Sequence, residues 1–146
     1  MKPGSYPLNS TRNKKRYEFI SEGPKGQIPK AIIFDATAIE GVYELSFGDV
    51  IEEDRKIDVS SISDNGDLNK VIATVINSVY DFTESHPEAK IIFTCSSESR
   101  NRLYRIAINR NYEQLNQDFQ IFGVEDNQLV PFEPSKNFVV FLIVRR

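Results

Sequence analysis

The sequence is short of the residues on which most side-chain chemistry depends. It has one histidine, one cysteine, one methionine and no tryptophan. A single cysteine, Cys95, rules out an internal disulfide framework and suits a reducing compartment, so the expected location is the cytoplasm. A zinc site needs clustered Cys, His or carboxylate ligands. His86 and Cys95 fall on different segments, so no metal is expected, and no cofactor either. The longest apolar run, Phe138 to Val144, is too short to cross a membrane. The first residues carry charge and proline in place of a long apolar stretch, so no leader peptide is expected. The net charge of −3 supplies no global field to attract nucleic acid.

The chain has 146 residues, 40% hydrophobic and 27% charged, which is the size and composition of one ordinary domain. Residues 1–13 hold Pro3, Gly4 and Pro7 without periodicity and read as a flexible lead-in; residues 14–146 read as a single domain. Charge is spread in blocks. Residues 1–30 carry seven Lys/Arg against two Glu, and residues 35–67 carry ten Asp/Glu against two Lys/Arg. Residues 100–110 carry four Arg and no acid.

Hydrophobic spacing predicts the elements. Arg16–Ser21 alternates, with Tyr17, Phe19 and Ser21 on one face. Gly23-Pro24-Lys25-Gly26 is a turn signal, and Lys30–Asp35 is the partner strand of a first hairpin. Tyr43–Asp49 and Lys56–Ile62 alternate around the acidic turn Glu52-Glu53-Asp54, which predicts a second hairpin. Leu68, Val71, Ile72, Val75, Ile76, Val79 and Phe82 recur at threes and fours, which predicts a helix. Asp67 is its expected N-cap, and His86-Pro87 its stop. Lys90–Cys95 is apolar on consecutive positions, as in a strand covered on both faces. A second helix is expected from about Ser99 to Asn109, extending in broken form to Gln117. Strands follow at Phe119–Val124, Gln128–Phe132 and Phe138–Arg145, with prolines marking the middle one as an edge and the last one expected to be central. The fold class is therefore α+β: a mixed, mostly antiparallel sheet of about six to eight strands with two main helices, in the order β-β-β-β-α-β-α-β-β-β. The connection through the first helix, from Lys56–Ile62 to Lys90–Cys95, is a candidate parallel crossover.

Three features invite chemistry. Glu52, Glu53, Asp54 and Asp58 lack calcium-loop spacing and read as a solvated hairpin tip. Cys95 near a helix start has the position of an activated thiol. Its base would have to be His86, at the opposite end of a strand that rises about 3.3 Å per residue, so a packed thiol is the plainer reading. The junction from Cys95 to Arg102 is the best candidate for an anion site. A helix N-terminus offers unpaired N–H groups and the positive end of a dipole. Ser96, Ser97, Arg100 and Arg102 can add donors, and Tyr104 a phenol. A well-capped helix whose arginines pair with acidic hairpins is the alternative.

The motifs Tyr17-Glu18-Phe19, Gly23-Pro24-Lys25-Gly26, Asn65-Gly66-Asp67 with Lys70-Val71, and Arg100 with Arg102-Leu103-Tyr104 resemble an uncharacterised bacterial family common in Bacteroidota. The resemblance covers about Tyr17 to Arg146 and implies no assigned activity. The order of antiparallel strands, helix, strand, helix and closing strands is also similar to the GCN5-related N-acetyltransferases, in which a tyrosine at the place of Tyr104 serves as general acid. Those enzymes hold coenzyme A with a glycine-rich loop; Ser63-Asp64-Asn65-Gly66-Asp67 stands in its place here. Three function classes follow: a small binding or interaction module, with a homodimer as one form; an acyltransferase-like enzyme or degenerate relative; and a toxin-like protein linked to nucleic acid. Whether the chain is an enzyme is open at this level.

Overall fold

Alternating burial along the early strands builds the first hairpin. A computed structural model describes residues 4–58, 64–94, 97–134 and 136–146. Its strands are β1 (Asn9–Ser10), β2 (Arg16–Gly23), β3 (Gly26–Ala36), β4 (Val42–Asp49), β5 (Lys90–Thr94), β6 (Phe119–Glu125), β7 (Gln128–Pro131) and β8 (Val140–Arg145). Its helices are α1 (Leu68–Ser85), α2 (Glu98–Arg110) and α3 (Tyr112–Asp118). The strands form one mixed sheet in the order β1-β2-β3-β4-β5-β8-β6-β7. The chain divides into two units, Met1–Ile33 with Ser46–Ser85, and Phe34–Leu45 with His86–Arg146.

In the first unit, β2 and β3 pair antiparallel from Arg16↔Ile33 to Gly23↔Gly26. Tyr17, Phe19 and Ser21 are the buried positions of β2, as period-two alternation requires. Helix α1 buries Val71, Ile72, Val75, Ile76, Val79 and Phe82, each worth roughly 1.5–3 kcal/mol against exposure. Its many β-branched residues are weak helix formers, and this burial offsets their preference. Thr74, Ser78 and Thr83 are also buried; their hydroxyls donate back to the carbonyls of Lys70, Val75 and Val79 at 2.6–2.8 Å. Self-satisfied hydroxyls let most of the helix circumference leave water. Buried Lys30 pairs with Asp49 at 2.6 Å.

In the second unit, β4 and β5 are parallel from Val42↔Lys90 to Glu44↔Ile92. Strand β8 lies between β5 and β6 and is antiparallel to both. Three successive residues of β8, Phe141 to Ile143, are buried, the pattern of a central strand covered on both faces. Asp126 and Asn127, at φ 53° and 60°, form the two-residue β6–β7 turn in the left-handed region. Helices α2 and α3 are separated at Asn111, whose side chain donates to Ala107 O at 2.8 Å. Tyr112, Phe132, Phe138 and Phe141 form an aromatic cluster. Gly123 is required beneath it, since a Cβ there would lie 2.3 Å from the Phe138 ring.

The second hairpin closes at the bridge Val50↔Ile57, with the Ile51 N–H donating to Lys56 O at 2.7 Å and the Asp58 N–H to Asp49 O at 2.8 Å around an exposed tip; residues 59–62 of the expected strand lie outside the described residues. One sequence expectation is corrected: the parallel partner of β5 is Val42–Asp49, not Lys56–Ile62, with the register running from Val42↔Lys90 to Glu44↔Ile92.

Candidate functional site

The sequence-predicted site falls at the carboxyl end of the parallel pair. The β4–β5 ladder stops after Glu44↔Ile92. Just beyond, Thr94 Oγ1 donates to Glu44 Oε2 at 2.8 Å. Alternation assigns Glu44 to a strand face without revealing this partner, so sequence reasoning missed the pair. Ser97 then caps α2: its backbone is extended (φ −153°, ψ 162°) and its Oγ accepts from the Arg100 N–H at 3.2 Å. Cys95 and Ser96 lie outside the described residues.

Arg100 is 3% exposed in the first turn of α2. Its guanidinium Nη1 lies 3.5 Å from Ser97 Oγ, at the outer limit of a hydrogen bond. The structure thus brings Ser97 and Arg100 together. Arg102 is exposed. Tyr104 is 1% exposed, and its ring meets Phe93 of β5 edge-on with centroids 5.4 Å apart. Tyr104 is therefore a wall between helix and strand. Glu98 places one negative charge in the same first turn, where it also suits the helix dipole. His86, the residue weighed as a base, has its ring centroid 6.1 Å from that of Tyr43.

A second polar assembly occupies the first unit. Asp67 Oδ2 accepts from Tyr6 Oη at 2.5 Å and from Ser21 Oγ at 2.6 Å. Asn65 Nδ2 donates to Ser21 Oγ at 3.2 Å and to Gly26 O at 2.9 Å, while its Oδ1 accepts from the Lys25 N–H at 2.7 Å. The motifs around Gly23–Gly26 and Asn65–Asp67 are thus two halves of one hydrogen-bonded lock. Buried Ser21 and Asn65 thus find their partners within the chain, as buried polar groups require. Nearby, Tyr17 Oη donates to Asp81 Oδ2 at 2.6 Å. Burial and the Asp81 carboxylate push the Tyr17 phenol pKa well above its ordinary value; burial and Asp67 raise that of Tyr6.

Three basic residues of the first unit have acidic partners. Arg16 pairs with Glu18 at 2.8 Å and Lys14 with Asp81 at 3.5 Å; Arg55 also pairs with Glu18. Among the described residues, no group of three or more His, Cys, Asp or Glu could hold a metal ion. No helix there is long and apolar enough to cross a membrane.

These features define an α+β domain with a mixed sheet and a polar strand-to-helix junction. The chain belongs to a family of unknown function, DUF6934, whose family model matches residues 2–146. No curated protein and no solved structure matches it.

Proposed function

We propose that this chain is a small binding module that takes a phosphate- or carboxylate-bearing ligand at the junction of β5 and α2. The observation that carries this reading is Arg100, a guanidinium buried in the first turn of a helix that follows the carboxyl end of a parallel strand. Open sheets bind ligands beyond the carboxyl ends of their parallel strands, and helix N-termini bind anions through their unpaired N–H groups. Ser96 and Ser97 are the hydroxyl donors in this reading. Arg102 is the exposed charge that guides the anion in, and the Tyr104 ring is a wall. The single Cys95 supports a cytoplasmic setting, and the partner class we assign is a second copy of the chain.

Isothermal titration calorimetry on the full chain separates the function classes. Pyrophosphate binding with acetyl-coenzyme A no tighter supports the module. Acetyl-coenzyme A binding at least about a hundredfold tighter, some 2.7 kcal/mol, moves the reading to acyl transfer. RNA binding that falls steeply with salt moves it to nucleic acid. No heat with any of the three removes the anion site.

A further inference from the structure

One side chain, more than the backbone, holds the segment Gly4–Ser10 to the first unit. Its ladder with β2 is two residue pairs long, Asn9↔Glu18 and Ser10↔Tyr17. Tyr6, by contrast, is 6% exposed. Its ring stacks on Phe19 with centroids 5.4 Å apart, and Lys70 Nζ lies 4.3 Å from its centroid. Its hydroxyl donates to Asp67 and accepts from the Glu22 N–H at 2.9 Å. Its own N–H donates to Thr74 Oγ1 at 2.9 Å. Beside it, Asn77 Nδ2 donates to Ser5 Oγ at 2.7 Å. The slot is built for a phenol: an aromatic wall, a carboxylate and a hydroxyl, each in place.

The connection to β2 is under strain. Lys14 has φ 61° in the turn between β1 and β2, a left-handed conformation unfavourable for a residue with a Cβ. Straightening this turn would release that strain, at the loss of the Thr11 N–H to Arg16 O bond of 2.9 Å, and would carry Tyr6 out of its own slot. The slot of a second copy offers the same contacts, and a short strained hinge favours such exchange. We infer that the Gly4–Ser10 segment exchanges between two copies, with Tyr6 of each chain filling the Phe19–Asp67–Thr74 slot of the other. This rests on the self-association reading above and is independent of the anion site.

Light scattering on the full chain fixes the oligomeric state. Isotope-filtered NOE spectroscopy on an equilibrated mixture of ¹³C-labelled and unlabelled chain then locates the Tyr6–Phe19 contact. The expected result is a dimer in which that NOE runs between chains. Lys14→Gly, which relieves the hinge, is expected to raise the dimer dissociation constant about tenfold. A dimer whose Tyr6–Phe19 NOE stays within one chain overturns the exchange and leaves self-association standing through another surface. A monomer at millimolar concentration overturns both.

Discussion

Asn65 grips Lys25 from across the first unit: its Oδ1 accepts the Lys25 N–H at 2.7 Å while its Nδ2 donates to the next carbonyl, Gly26 O. A turn that bonds to itself needs no such outside partner. Here the loop before α1 holds the β2–β3 turn. The approach is so close that a Cβ on Gly23 would stand 1.9 Å from Asn65 O.

Asn65→Ala is therefore expected to lower stability by about 1 kcal/mol, because it removes the partners of a part-buried N–H and a part-buried carbonyl. Gly23→Ala is expected to cost as much or more through the clash. Chemical denaturation of each variant checks the pair. Wild-type midpoints for both would mean that the lock contributes nothing.

Stability is expected to fall at alkaline pH. Tyr6 and Tyr17 have phenol pKa values raised above the ordinary 10.0, chiefly by burial and then by Asp67 and Asp81. Below pH 10 both phenols are protonated in folded and unfolded chain alike, so their contribution is intact. Above it the unfolded chain ionises first, and each tyrosine removes up to about 1.4 kcal/mol per pH unit. Tyr17→Phe is expected to flatten this decline, as read from denaturation midpoints between pH 9 and 11.

Gly123→Ala places a methyl into the Phe138 ring. We expect a loss of about 1–3 kcal/mol, a drop of several degrees in Tm, and displaced Phe138 and Phe132 resonances. A variant that melts with the wild type would show that the aromatic cluster yields freely.

Much of the fold was legible where the apolar residues follow a regular pattern. The threes and fours of α1, the alternation of β2 and the apolar run of β8 each follow from what those elements cover. The parallel partner of β5 was misplaced because Tyr43–Asp49 and Lys56–Ile62 both alternate, and alternation alone does not say beside which strand a crossover returns. Tyr6 was illegible for the opposite reason. Its anchors, Phe19, Asp67 and Thr74, are distant in sequence, and an isolated aromatic among Pro, Gly and Ser has no period to betray it. At the candidate site, residue type offered several serine caps before the second helix without singling out Ser97. The burial of Arg100 and the Glu44–Thr94 pair depend on which strands are neighbours, and the displaced parallel partner hid that.

The central claim is an anion at the start of α2. Its most direct test is an NMR titration of the full chain with pyrophosphate, following backbone amides. The account predicts saturable shifts concentrated at Ser97 to Arg102. It also predicts affinity about threefold weaker in Arg102→Gln and at least tenfold weaker in Arg100→Gln, consistent with the loss of one rim and one buried charge-assisted contact. Unchanged Ser97–Arg102 amides at millimolar pyrophosphate, or shifts that both variants leave intact, would contradict it.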